Sequence, residues 1–162
     1  MRDIKTKKLV YAGLLTAAIT VATAIKPPIP TFNGYIHFGD GMIFLAALIL
    51  GPISAIAAGI GSALADVLLG YGIYAPATFF IKALMALVVV FLIKKDGKHI
   101  IWNIIVFILA ELVMIGGYFC YDSILLGGFA LAFAGVGFNA VQALFGVVIG
   151  IIFLPISKKI KL

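Results

Sequence analysis

The chain has 162 residues, of which 64% are hydrophobic and only 11% are charged. Its mean hydropathy of +1.25 exceeds what the core of a soluble protein needs. Apolar runs of about 20 residues are typical of transmembrane helices. The composition therefore excludes a soluble enzyme or a soluble binding module. It predicts an all-α integral membrane protein with a single domain over residues 1–162.

The formal net charge of +6 does not indicate a nucleic-acid partner, because the basic residues flank apolar runs, as topology signals do. The single cysteine, Cys120, excludes an internal disulfide and argues against a cysteine-based metal site. No cofactor and no metal are expected. The basic residues form three short clusters: Arg2, Lys5, Lys7 and Lys8; Lys94, Lys95 and Lys98; Lys158, Lys159 and Lys161.

Proline and glycine interruptions divide the chain into six predicted transmembrane helices. The first is expected to be retained, because its apolar run reaches Ile25 and ends in Lys26-Pro27-Pro28. Residues 26–38 form a long loop with three prolines, Gly51-Pro52 breaks the second helix from the third, and residues 120–136 are expected to be a partly embedded helix and turn. The predicted helices cover residues 8–25, 39–50, 53–69, 75–93, 100–119 and 138–154.

Six crossings place both termini on the same side of the membrane. The positive-inside rule then puts all three basic clusters in the cytoplasm, which predicts a multi-pass protein of a prokaryotic cytoplasmic membrane. The outer loops are then residues 26–38, 70–75 and about 120–137. The second helix is short, so helices two and three are expected to pack against protein rather than lipid alone.

Polar side chains at membrane depth are costly and usually face a cavity or a partner. Those of this chain fall in the outer half of the bundle, which favours a pocket open to the outside over a pore. The heptad spacing puts Glu111 and Tyr118 on one helix face, and Asn139 and Gln142 share another. Carboxylates and carboxamides can hydrogen-bond a planar heterocycle, and aromatic rings can cover its faces. The deep polar residues are Asp40, Asp66, Lys82, Glu111, Asn139 and Gln142.

Several of these residues also have a purely structural interpretation. Asp40 is suited to the first turn of a helix, where the dipole favours a carboxylate. His37 fits a solvated loop, and Asp66 with Lys82 could form an ion pair between helices three and four.

The remaining polar residues are similarly open to two interpretations. Asn139 and Gln142 could join helices by hydrogen bonds, and Tyr118 could belong to an interfacial aromatic belt. Glu111 favours a ligand role, because it is deep and has no charged neighbour in sequence.

Four local patterns resemble one membrane-protein family. They are the Gly-Asp opening of helix two in "YIHFGDGMIF", the following Gly-Pro break, the Ala-Asp end of the Gly-rich third helix, and "APATFFIKALMALVV" with its lysine. The late segment "FNAVQALFGVVIG" fits as well. Over nearly the whole chain the sequence resembles the substrate-binding S components of energy-coupling factor (ECF) vitamin transporters.

The resemblance implies a six-helix protein that binds a vitamin near its outer face, with the first outer loop as a lid. It implies as partners a transmembrane coupling subunit and two cytoplasmic ATPases, whose ATP hydrolysis topples the S component in the membrane. In this chain Asn33, Tyr35 and His37 would close over the ligand, while Gly39 and Asp40 anchor the second helix.

The resemblance also implies a docking surface of small residues on the first helix, which contacts the coupling subunit. Two registers remain open, Gly13 with Ala17 and Ala18 with Ala22. Asp66 joins Gly39 and Asp40 as a structural or hinge residue. The expected substrate-binding residues are Glu111, Asn139, Gln142, Tyr118, Lys82, His37, Tyr35 and Asn33.

The resemblance is closest to the branch that binds hydroxymethylpyrimidine or pyridoxine-type vitamin B6 compounds. Glu111 could pair with a protonated aminopyrimidine or an amine, and Asn139 with a hydroxyl group or a ring nitrogen. Riboflavin is the alternative within the family and requires a larger aromatic slot. An autonomous channel or secondary carrier, and a structural subunit without ligand, are the alternatives from other classes. No H-E-x-x-H, G-x-S-x-G or P-loop motif occurs, so no enzyme activity is expected.

Overall fold

The computed structural model describes residues 2–25, 35–94, 99–157 and 159–160. These residues form an all-α bundle, and a 3-10 turn at Gly51–Ile53 separates two of its helices. The helices are α1 (Arg2–Ala24), α2 (Gly39–Leu50), α3 (Ser54–Leu68), α4 (Ala75–Leu92), α5 (Ile100–Leu125) and α6 (Phe129–Ser157).

Five helical segments in the described part of the chain are long and apolar enough to cross a membrane. α2 and α3 have 12 and 15 residues and count as one such segment, Gly39–Leu68. At 1.5 Å per residue, each reaches about 18–23 Å, less than the hydrocarbon thickness of about 30 Å. The expectation of six spanning helices is therefore not confirmed.

The predicted break between α2 and α3 is confirmed. Gly51 has a φ of 65°, a left-handed conformation that glycine adopts without strain, and Pro52 follows at the start of the 3-10 turn. The chain reverses direction here, because the start of α2 and the end of α3 lie near the same cavity. Asp66 at the end of α3 lines this cavity. Gln142 lines it as well and donates a hydrogen bond to Asp40 at the start of α2. The pair packs against α1, α4 and α6 and is more buried than any of the other four segments.

The expected end of the fifth helix at residue 119 and start of the sixth at residue 138 are wrong, although residues 120–136 do contain helix and a turn. α5 continues to Leu125 and α6 already begins at Phe129, so a link of only three residues joins them, with Gly127 at a φ of 74°. Gly135 and Gly137 lie inside α6. Glycine is common in membrane helices, where an unsatisfied backbone is more costly than in water, so it does not end the helix here.

The apolar core lies where α2 packs against α5 and α6. Phe44 and Phe107 stack with ring centroids 4.6 Å apart, and a Cβ at Gly150 would press on both rings. Just beyond the end of α4, the Lys94 N–H donates a hydrogen bond to the Asn103 side chain at 2.9 Å, and the Asn103 amide donates to the Lys94 carbonyl at 2.8 Å. The helices are thus tightly joined at the end that carries the basic residues.

Candidate functional site

An open cavity lies where α2, α4 and α6 begin and where α3 and α5 end. Its empty volume, including the part open to solvent, is about 550 Å³. Aromatic and acidic side chains dominate the wall. The lining residues are Tyr35, His37, Asp66, Tyr71, Tyr74, Thr78, Tyr118, Asp122, Gly135, Phe138, Asn139 and Gln142.

Two tyrosines of the wall each donate a hydrogen bond to a carboxylate of the wall. The Tyr35 hydroxyl donates to Asp66 Oδ1 at 2.6 Å, and the Tyr74 hydroxyl donates to Asp122 Oδ1 at 2.8 Å. The rings of Tyr35 and Tyr71 contact each other, with centroids 5.0 Å apart. These contacts fix aromatic rings and carboxylate oxygens around the same space.

His37 is buried and does not behave as a solvated loop residue. Its Nδ1 accepts a hydrogen bond at 3.1 Å from the N–H of Gly39, the first residue of α2. Asp40 lies in the first turn of this helix, as the sequence suggested. Burial lowers the pKa of His37 to about 4, although the neighbouring Asp40 opposes this shift. The imidazole is therefore neutral at neutral pH, and its proton lies on Nε2 because Nδ1 is the acceptor.

Below the cavity, three buried side chains form a polar network. Lys82 Nζ contacts Asp40 Oδ1 at 2.5 Å, with neither side chain exposed, and Gln142 Nε2 donates to Asp40 Oδ2 at 2.7 Å. The expected ion pair of Lys82 with Asp66 is wrong, because α2 brings Asp40 to Lys82 while Asp66 accepts from Tyr35. Only Gln142 of this network reaches the cavity wall.

Glu111 lies beside this network and is not a cavity-lining residue. It is 1% exposed, and neither carboxyl oxygen has a hydrogen-bond partner in the described part of the protein. The carboxyl group rests against α6 at Gly146, where a Cβ atom would overlap it. Nearer the cavity, Tyr118 on the same helix shares a hydrogen bond of 2.9 Å with Thr78.

The structure thus divides the residues expected to bind substrate into two layers. Tyr35, His37, Tyr118, Asn139 and Gln142 line the cavity. Lys82 and Glu111 lie beneath it.

Asn33, and most of the loop expected to act as a lid, fall outside the described residues. Asp66, expected only as a structural or hinge residue, also lines the cavity. The expected site residues lacked five further lining residues with side chains: Tyr71, Tyr74, Thr78, Asp122 and Phe138. The turn "GYGIYAP" was the available signal for the two tyrosines, because an outer turn joining α3 to α4 must lie at the mouth of an outward pocket.

A family model described as "ECF-type riboflavin transporter, S component" matches residues 3–161. The chain belongs to this family. A solved structure described as "Structure and mechanism of the S component of a bacterial ECF transporter" is similar, with a TM-score of 0.71, 25% identity, and coverage of 96% of this chain and 95% of that one. An uncharacterized protein from Pyrococcus woesei is 38% identical over 138 residues, 82% of this chain and 89% of its own length.

These matches confirm the resemblance to ECF S components. The protein is the substrate-binding subunit of an ECF transporter, and its family is a transporter family rather than an enzyme family. Family membership implies a vitamin substrate and an ECF module as partner. The hydroxymethylpyrimidine/pyridoxine branch is not shown by these matches.

Proposed function

We propose that this S component binds riboflavin in the cavity at the outer end of the bundle. The observation that carries the proposal is the aromatic wall, in which four tyrosines and Phe138 surround the open space. A flat tricyclic ring is stabilised by aromatic side chains against its faces and edges. The description of the matching family, which names riboflavin, supports the same substrate over the smaller compounds expected from the sequence.

The polar residues of the wall have complementary roles in this proposal. Asn139 and Gln142 on α6 hydrogen-bond the polar edge of the flavin ring. Gln142 donates its amide N–H to Asp40, which orients the carbonyl oxygen of the same amide as an acceptor for the ligand. Asp66 and Asp122 accept hydrogen bonds from the hydroxyl groups of the ribityl chain.

Lys82 and Glu111 support the site from beneath in this proposal. Lys82 holds Asp40, and Asp40 in turn holds Gln142, so Lys82 acts as a positioning residue for the cavity wall. Gly39 and Asp40 anchor the start of α2, while Tyr35 and His37, which directly precede it, contact the ligand from the side of the first outer loop.

The proposed topology has six crossings, with α2 and α3 as two short ones and both termini in the cytoplasm. Lys94 at the end of α4 and Lys159 after α6 lie at the opposite end of the bundle from the cavity. Positive residues favour the cytoplasmic side, so the cavity opens outward. The protein then lies in the cytoplasmic membrane of a prokaryote and topples to deliver the vitamin when its partner ATPases hydrolyse ATP.

The coupling subunit is proposed to dock on α1 through Gly13 and Ala17. Both residues are exposed, whereas Ala18 and Ala22 are half-buried against the bundle. A Cβ at Gly13 would meet no atom within 4 Å. Small exposed residues one turn apart permit close approach of another helix, which favours the register of Gly13 with Ala17.

A titration of the purified chain with riboflavin tests the proposed substrate. Flavin fluorescence is expected to be quenched on binding, because the ring stacks against tyrosine side chains. Tyr118→Ala is expected to weaken binding, while Tyr11→Ala, on the exposed face of α1, serves as a matched control that leaves binding unchanged. Absence of quenching by riboflavin, together with binding of pyridoxine or hydroxymethylpyrimidine, would contradict riboflavin as the substrate.

Hydroxymethylpyrimidine or vitamin B6 compounds are the second candidate substrates. The observation in their favour is the pair of carboxylates in the wall, Asp66 and Asp122, which could pair with a protonated aminopyrimidine or an amine. Separate titrations with each compound distinguish the two candidates, because only the true substrate is expected to saturate the chain at stoichiometric concentration.

A further inference from the structure

The charged groups of the cavity wall have one sign. Asp66 and Asp122 line the cavity, and among the described lining residues there is no lysine or arginine. The nearest buried cation, Lys82, is already paired with Asp40 beneath the wall. Burial keeps the pKa of His37 at about 4, so at neutral pH the imidazole adds no positive charge. Among the described lining residues, the only groups that can add charge to the cavity at neutral pH are therefore the carboxyl groups of Asp66 and Asp122, and that charge is negative.

The two carboxylates are built to accept hydrogen bonds from a ligand. Asp66 is 5% exposed, its Oδ1 accepts from Tyr35, and its Oδ2 has no hydrogen-bond partner in the described part of the chain. A buried acceptor without a donor is costly, so a ligand hydroxyl group that donates to Oδ2 would remove this cost. Asp122 is held in the same manner by Tyr74.

A phosphate dianion has no proton to donate to the same oxygens. Its terminal oxygens are acceptors, and at pH 7 it carries a charge of about −1.5 to −2. Opposed like charges in a partly desolvated cavity disfavour binding strongly. Because Asp66 belongs to α3 and Asp122 to α5, the negative charge is not confined to one wall.

We propose that Asp66 and Asp122 make the cavity selective for the unphosphorylated vitamin, accepting its hydroxyl groups and rejecting its phosphate ester. The inference rests on one part of the proposed function, namely that a vitamin binds in this cavity. It assigns to this pair the discrimination between a hydroxylated ligand and its phosphorylated form.

The test compares the affinities of riboflavin and riboflavin 5′-phosphate for the full chain in detergent, by calorimetry at neutral pH. The phosphate ester is expected to bind about a hundredfold more weakly. Asp66→Asn and Asp122→Asn keep the side-chain shape and an acceptor oxygen but remove the charge. Each single variant is expected to reduce the ratio of the affinity for riboflavin to that for its phosphate ester. The double variant is expected to reduce this ratio by about tenfold or more.

Two controls separate charge from other causes. Tyr35→Phe and Tyr74→Phe remove the hydrogen bonds to the same carboxylates without changing charge, so the affinity ratio is expected to stay as in the native protein. High salt screens charge and is expected to reduce the difference in affinity between riboflavin and its phosphate ester in the native protein. This measurement does not depend on the folding of any variant.

Equal affinity for the two flavins in the native protein would overturn the inference, as would a ratio that neither the asparagine variants nor salt changes. Failure of the proposed substrate is a separate outcome. If pyridoxine binds and riboflavin does not, the riboflavin proposal fails, and the same comparison with pyridoxine 5′-phosphate decides the inference. If neither unphosphorylated vitamin binds, both are overturned.

Discussion

Replacing Lys82 by methionine removes the only cation that contacts Asp40 in the described part of the protein. Methionine fills a similar volume, so the loss concerns charge more than packing. Neither side chain of the pair is exposed, so Asp40 would remain as an uncompensated buried carboxylate. Breaking a buried pair in this way typically costs about 3–5 kcal/mol.

The surroundings of Asp40 indicate where in this range the variant falls. Gln142 still donates to Asp40 Oδ2 in Lys82→Met, and a hydrogen bond to a charged group contributes about 1.5–3 kcal/mol. We therefore expect a loss of about 3 kcal/mol in the free energy of unfolding. The double variant Asp40→Asn/Lys82→Met has no buried charge at either position, and the side-chain carbonyl of the introduced asparagine can still accept from Gln142. It should cost only about 1 kcal/mol.

A double-mutant cycle in mixed detergent micelles measures this non-additivity. The two single variants, the double variant and the native chain are unfolded under identical conditions, and Leu84→Met, on a half-exposed position of the same helix, serves as the control. The reasoning is refuted if the loss in the double variant equals the sum of the two single losses. It is also refuted if Lys82→Met costs less than about 1 kcal/mol, as an exposed pair would.

Three further predictions concern the site and its supports. Gly146→Ala places a Cβ on the Glu111 carboxyl group and should lower the free energy of unfolding by about 1–3 kcal/mol. Adding Glu111→Ala should restore part of the lost stability. If the double variant is no more stable than Gly146→Ala alone, the contact is disproved. Asn103→Ala removes both hydrogen bonds to the Lys94 backbone and should cost about 1–2 kcal/mol by the same measurement, whereas an unchanged stability would argue against this clamp. Because the folded pKa of His37 is about 4 and the unfolded value is near 6.5, the unfolded chain binds the proton first, so stability falls as pH drops from about 6.5 to 4, by up to about 3 kcal/mol. His37→Asn should lack this part of the pH dependence, and identical pH profiles for the two proteins would contradict it.

The membrane character and the break at Gly51 could be predicted from the sequence because they depend on composition and on local backbone chemistry. The ends of α5 and α6 could not. Glycines and Asp122 between residues 120 and 137 would end a helix in water. Here α5 and α6 nevertheless extend to a link of three residues, since backbone groups in lipid must bond within the helix.

The location of the cavity could be predicted from the cost of burying polar groups, which placed them at one end of the bundle. The partners within the site could not be predicted, because pairing depends on how α2 packs beside α4. Sequence spacing suggested Asp66 for Lys82, whereas the fold brings Asp40 there. Glu111 likewise shares a helix face with Tyr118, yet only Tyr118 reaches the cavity.

The most direct test of the riboflavin proposal is the identity of the small molecule that the chain retains on purification. The chain is purified in detergent from cells that contain riboflavin, denatured, and the released compounds are identified by mass spectrometry. The proposal predicts an unphosphorylated flavin at about one molecule per chain. A pyridine or pyrimidine compound in its place, or an empty chain that also fails to bind added riboflavin, would contradict it.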